Sequence, residues 1–125
     1  MENVSLKDKI LKIIEENYTD PDFNVNRLAG YSNVNRSYLY KYIIKTFNCN
    51  PKQLIEEKRI CLALELLSKG EKVTYAAYKT GFINSYNLRR AFKTKLNNTP
   101  SKVRKQCLNN NKDRFLKIIK DGLLK

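Results

Sequence analysis

The side chains in this sequence best suited to chemistry are cations, and they are concentrated. Between positions 79 and 105 stand Lys79, Arg89, Arg90, Lys93, Lys95, Lys102, Arg104 and Lys105, with no Asp or Glu among them. Over the whole chain 25 Lys and Arg stand against 12 Asp and Glu, a formal net charge of +13. Residues 1–50 carry 7 bases and 6 acids, whereas residues 51–125 carry 18 and 6. A one-sided cationic surface fits a polyanionic partner, because neutralising phosphates releases condensed counterions. A solvated face that promotes solubility gives the same count, so charge by itself indicates a polyanion without naming it.

Other chemistries find little support. The chain has no His, and its three cysteines, Cys49, Cys61 and Cys107, are an odd number without a C-x-x-C pair. Neither a zinc site nor a disulfide framework is expected, and no cofactor. Reduced thiols fit the cytoplasm, and a DNA partner would place the chain with the nucleoid. Glu56 and Glu57 form a carboxylate pair, but adjacent helical residues diverge, so a solvated face is expected there. With no Gly-rich phosphate loop and no nucleophile beside a recognisable base, no enzyme is expected. The N-terminus lacks the regions of a signal peptide, and no apolar run could span a membrane.

The elements that must position these cations are helices. Hydrophobic residues make up 42% of the chain, only 4 Gly and 3 Pro interrupt it, and no long stretch alternates apolar and polar residues. Ser5 caps a first helix ending near Asn17, with Leu6, Ile10, Ile13 and Ile14 as its stripe. Asn24 caps a short helix carrying Val25, Leu28 and Ala29, and Asn35 caps a longer one to about Phe47, with Leu39, Ile43 and Phe47 facing in. Asn50 and Pro51 restart the chain in a helix over about 51–68 that Gly70 stops. Its apolar residues, Leu54, Ile55, Ile60, Leu62, Ala63, Leu66 and Leu67, are spread widely around it, so burial on more than one side is expected.

The second half then repeats the first. Val25, Leu28 and Ala29 are echoed at an offset of 48 by Val73, Ala76 and Ala77. Leu39, Ile43, Phe47, Asn48 and Pro51 are echoed at 49 by Leu88, Phe92, Leu96, Asn97 and Pro100. The extra residue falls in the turn, around Ile83 and Asn84. Helix ends and core positions recurring in register signal duplication. Thr99 and Pro100 open a short helix to about Gln106, and Phe115, Ile118, Ile119 and Leu123 predict a basic amphipathic helix over about 112–124. The expected organisation is a first helix-turn-helix subdomain (1–50), a linker helix (51–70), a second subdomain (71–107) and a tail helix (108–125).

In each repeat a short helix braces a longer one across a turn, the layout in which the second helix lies in the major groove. A plain helical hairpin would show the same core pattern, so the exposed faces carry the distinction. The first long helix presents Arg36, Ser37, Tyr40 and Lys41, and the second Ser85, Tyr86, Asn87, Arg89 and Arg90. None is a carboxylate, which would repel phosphate, while Arg and Asn can read guanine and adenine edges. Ser37, Tyr40, Lys41, Tyr86, Asn87, Arg89 and Arg90 are therefore expected at bases or nearby phosphates. Arg36, Lys79, Lys93, Lys95, Lys102 and Arg104 are expected mainly at phosphates. A structural tie within the fold is the alternative for Lys93 and Arg104, and the preferred reading for Arg59.

Taken together these residues resemble the DNA-binding half of the AraC/XylS transcription regulators, over roughly residues 6–105. The resemblance rests on Leu28 and Ala29, Tyr38 and Leu39, Pro51, then Arg59, Ile60, Ala63, Leu66 and Leu67 on the central helix. It continues through Val73, Ala76, Ala77, Gly81, Phe82, Arg90, Phe92, Lys93, Thr99, Pro100 and Arg104. It implies an all-α fold of two helix-turn-helix subdomains joined by a long helix, each inserting one recognition helix, in proteins that typically activate transcription. Asn48 and Asn97 stand where the family usually has Gly or a similar residue, Ala76 replaces a usual Ile, Leu88 a usual Phe, and Lys72 a common capping Ser or Thr.

A central helix of about 18 residues is roughly 27 Å long, which could set the recognition helices about 34 Å, one DNA turn, apart. A monomer would then read an asymmetric duplex site, bending it where flexible steps allow. The tail leaves open docking on its own domain, pairing of two chains, or contact with RNA polymerase. Only four residues precede the first cap, compatible with a free-standing regulator or with part of a longer ligand-responsive one. The rival reading is a basic RNA-binding or nucleoid-architectural protein, which accounts for the charge but not for the repeat.

Overall fold

The computed structural model describes residues 5–109, all of whose regular structure is α-helix. The tail helix expected over 112–124 lies outside the described residues. The elements are α1 (Leu6–Asn17), α2 (Val25–Ser32), α3 (Arg36–Phe47), α4 (Pro51–Ser68), α5 (Val73–Lys79), α6 (Ser85–Leu96) and α7 (Pro100–Asn109). The last runs three residues beyond the expected end at Gln106.

Polar side chains set the helix starts by satisfying amides that have no partner within the helix. Ser5 Oγ accepts from the Asp8 amide at 3.1 Å, Asn24 Oδ1 from Arg27 at 3.0 Å, and Asn35 Oδ1 from Tyr38 at 2.7 Å. At α4 the arrangement is reciprocal: the Gln53 amide donates to Asn50 Oδ1 and the Asn50 amide to Gln53 Oε1, at 2.8 and 2.9 Å. That is a capping box built with Asn. Thr99 Oγ1 accepts from Lys102 at the start of α7. At α5 the cap position is held by Lys72, which makes no side-chain capping bond.

The chain divides into two compact units between Lys58 and Arg59, inside α4. In the first unit, Ile10, Ile14, Phe23, Leu28, Leu39, Ile43 and Ile55 make the core. Its helices are also joined at their surface, where Lys58 pairs with Glu15 and the Lys9 ammonium donates to the Ser32 carbonyl at 3.2 Å. In the second unit, Ile60, Ala63, Leu64 and Leu67 of α4 pack with Ala76, Ala77, Phe82, Leu88, Phe92, Val103 and Cys107. Positions 60, 63, 64 and 67 are one regular stripe. Leu64, fully buried, was missing from the expected inward set, whereas Leu62 and Leu66 from that set are only half-buried.

Candidate nucleic-acid interface

In the first unit, α2 ends in a left-handed residue, Asn33 (φ 61°), whose amide donates to the Gly30 carbonyl at 3.1 Å while Val34 reaches back to Ala29 at 3.2 Å. This pair of bonds is the Schellman closure, and Asn tolerates its backbone conformation. The turn places Asn35 to cap α3, and Leu39 and Ile43 anchor α3 to the core. Arg36, Ser37, Tyr40 and Lys41 are consequently exposed. One Arg36 guanidinium nitrogen donates to Asn26 Oδ1 at 2.7 Å, tying the start of α3 to α2. Tyr38 and Ile44, which sequence reasoning did not assign to the site, are exposed on the same helix, and Tyr38 stacks on Tyr42 with ring centroids 6.2 Å apart.

In the second unit the turn is longer. The hydroxyl of Thr80, fully buried, donates to the Ala76 carbonyl at 2.7 Å. Gly81 is left-handed (φ 89°), Phe82 is buried, Ile83 again has positive φ (77°), and Asn84 caps α6 by accepting from the Asn87 amide at 2.9 Å. Leu88, Ala91 and Phe92 are buried, so Tyr86, Arg89, Arg90 and Lys93 are exposed and, with Thr94, line one open hollow. The Arg90 guanidinium lies 5.8 Å from the Tyr86 ring centroid, a cation–π distance that pre-orders the arginine without neutralising it.

Several expected residues are engaged elsewhere or partly covered. Ser85 and Asn87 are half-buried, and Asn87 Nδ2 donates to the Phe82 carbonyl at 3.0 Å, so part of its amide secures the turn. Arg104 is also half-buried. Its Nε and a terminal nitrogen donate to the Gly70 carbonyl at 3.2 and 3.0 Å, and Nε to that of Glu71 at 3.0 Å. That is the structural tie weighed for this residue, clamping α7 onto the turn after α4. Lys102 is exposed, and Lys95 half-buried. The Lys79 ammonium lies 5.7 Å from the Tyr75 ring and 6.0 Å from that of Tyr78, which is 70% exposed. Neither tyrosine was singled out from the sequence. The available signal was that both fall off the Val73, Ala76, Ala77 core stripe.

Neither α3 nor α6 contains an Asp or Glu. No group of acidic, Cys or His residues suited to a metal occurs among the described residues, nor a helix long and apolar enough to cross a membrane.

The chain has known relatives. A family model described as a helix-turn-helix domain matches residues 28–106. The Msm operon regulatory protein of Streptococcus mutans is 33% identical over 103 residues, which make up 82% of this chain and 37% of that protein. An uncharacterized HTH-type transcriptional regulator in the cgkA 5′ region of Pseudoalteromonas carrageenovora is 37% identical over 92 residues, 74% of this chain and 54% of its own length. The chain thus spans between about a third and a half of these relatives. Among solved structures, the C-terminal domain of the two-component response regulator yesN from Fusobacterium nucleatum superposes with a TM-score of 0.74 at 29% identity, over 78% of this chain and 96% of that one.

Proposed function

The chain belongs to the AraC/XylS family of helix-turn-helix, DNA-binding transcription regulators, and on that premise we propose that it activates transcription by inserting α3 and α6 into successive major-groove segments of one asymmetric site. Its coarse activity is that of its family, binding double-stranded DNA to regulate transcription, which is not an enzyme class. The single observation that carries the finer reading is the face of α6. Tyr86, Arg89, Arg90 and Lys93 are exposed together, without a carboxylate, on a helix capped by Asn84 and anchored to the core by Leu88, Ala91 and Phe92.

In this reading Arg89 and Arg90 hydrogen-bond base edges or the phosphates beside them, where a guanidinium fork matches guanine O6 and N7. Tyr86 supplies apolar contact, and Asn87, with one amide hydrogen on Phe82, offers its remaining hydrogen and its oxygen. Ser85 sits at the first turn of the helix. Lys93 and Lys102 neutralise phosphates, and Arg104, bonded to the Gly70 and Glu71 carbonyls, secures α7, which carries Lys102. On α3, Ser37, Tyr40 and Lys41 face the groove, and Arg36 divides its five donors between Asn26 and phosphate. Phosphate contacts of this kind set register, while base contacts set preference. The chain acts in the cytoplasm, on the nucleoid, as a monomer on its site, and contact with RNA polymerase would convert binding into activation.

Selection of bound sequences from random duplexes, followed by footprinting, tests this. The expected result is one asymmetric site protected over two segments about one helical turn, 10–10.5 bp, apart. A protected region confined to a single groove segment would remove α3 from the reading. The net charge of +13 favours a second reading, an RNA-binding or architectural protein. Equal affinity for preferred and random duplexes at matched salt would select it.

A further inference from the structure

The two turns differ in length by one residue, and the structure identifies which. Asn33 and Gly81 are both left-handed at the end of the bracing helix, with φ 61° and 89°. Val34 and Phe82 follow, each packed against its own core. Asn35 and Asn84 then cap the recognition helices. Ile83 is left over: it has no counterpart in the first repeat.

Its conformation is costly. With φ 77°, and the Asn84 amide donating across it to the Phe82 carbonyl at 2.9 Å, Ile83 is the apex of a γ-turn of the rare, strained hand. A β-branched residue there is a conformational outlier, whereas Gly adopts the same backbone freely and Asn with little penalty. Burial does not compensate, because Ile83 is 61% exposed and belongs to neither core. A spacer would be better served by Gly. A side chain both strained and uncovered in the free protein is accounted for by a contact made with something else.

Its position says with what. Ile83 directly precedes the cap of α6, two residues before Ser85 and three before exposed Tyr86. The N-terminal end of a recognition helix is the part that reaches base edges. The apolar group displayed there by DNA is the thymine C5 methyl. We infer that Ile83 is a specificity-determining residue that packs on a thymine methyl at the edge of the segment α6 reads. The inference rests on the groove reading of α6 proposed above.

Replacing each thymine of the selected site singly by uracil deletes only that methyl, so affinities for this series test the contact. For the unsubstituted protein one thymine should stand out, its replacement weakening binding about fourfold, the effect of uncovering one methyl group. Ile83→Gly should be indifferent to that replacement and melt a few degrees higher than the parent, its strain relieved. Ile83→Val should keep the sensitivity. Superimposable uracil profiles for the parent and Ile83→Gly overturn the inference while leaving the groove reading intact. So does an Ile83→Gly protein that melts lower and binds no duplex, since Ile83 would then be a packing residue. If the parent itself prefers no sequence, the groove reading fails first, before any variant is compared.

Discussion

The two helix-turn-helix units share a frame and differ in what they display. Asn35 and Asn84 cap α3 and α6 with the same bond to the third helical amide, and Asn48 and Asn97 end them in the same left-handed conformation. Leu39 and Ile43 in one unit, Leu88 and Phe92 in the other, are fully buried at equivalent places. The exposed faces part company. That of α3 is richer in tyrosine, with Tyr38 and Tyr40 beside Arg36, Lys41, Lys45 and Ile44, whereas that of α6 sets Arg89, Arg90 and Lys93 around a single Tyr86. Positions that satisfy backbone groups or fill a core are constrained by the fold itself. Positions facing solvent are free of that constraint, so the two repeats can diverge there without cost to the fold. Each helix thus exposes three cations, and α3 adds a second exposed tyrosine and Ile44 to them.

The largest expected effect concerns the cores. Phe92→Ala should destabilise the second unit by about 3–5 kcal/mol, and Ile43→Ala the first by about 2–5 kcal/mol. Denaturation followed by helix content should resolve two transitions if the units unfold separately. A single transition shifted equally by either change would show one cooperative fold and break the division at Lys58.

Next come the faces. Arg90→Ala should cost about 1–3 kcal/mol on the preferred site and relax discrimination at one position. Lys41→Ala should cost less, and similarly on every sequence. If both changes weaken all duplexes equally, the contrast between Arg90 as a base contact and Lys41 as a phosphate contact is lost.

Lys72→Ser sharpens the comparison of the bracing helices. Asn24 caps α2, but Lys72 leaves α5 uncapped while already holding an extended backbone (φ −66°, ψ 149°). The serine should raise stability by about 1 kcal/mol, read as a higher denaturation midpoint without loss of DNA binding. An unchanged midpoint would mean the free amides of α5 are already satisfied. The smallest effect belongs to Lys102→Ala, which should leave sequence preference intact and flatten the salt dependence of binding by about one unit of slope. An unaltered slope would place Lys102 outside the phosphate footprint.

Much of this architecture is legible in residue order. Helix starts at Leu6, Val25, Arg36, Pro51, Ser85 and Pro100 follow from Ser, Asn or Thr standing one residue before, and a cap acts within three residues of itself. The register of the repeat located the longer turn at Ile83 and Asn84. Periodicity was a weaker guide on α4, where Leu64 was overlooked because apolar residues surround the helix and only packing selects among them. At the site, the exposed cations of α6 were visible as residues off the core stripe.

Side-chain commitments across distance were not visible. Residue order offers Arg104 either a tie within the fold or a phosphate, and only folding names the carbonyls 33 and 34 residues away that it reaches, while Lys102 remains in solvent. Asn87 has the right chemistry for an adenine edge and gives one amide hydrogen to Phe82 instead.

Local order of residues was thus sufficient for the helical class, the duplication, the caps and the sign of the surface, because each depends on interactions spanning a few positions or on simple sums of charge. Which polar groups the molecule uses on itself, which aromatic rings it leaves uncovered, and that Ile83 sits in a left-handed turn were settled only by folding. The identity of a polar residue does not say which distant group its hydrogen bond will reach.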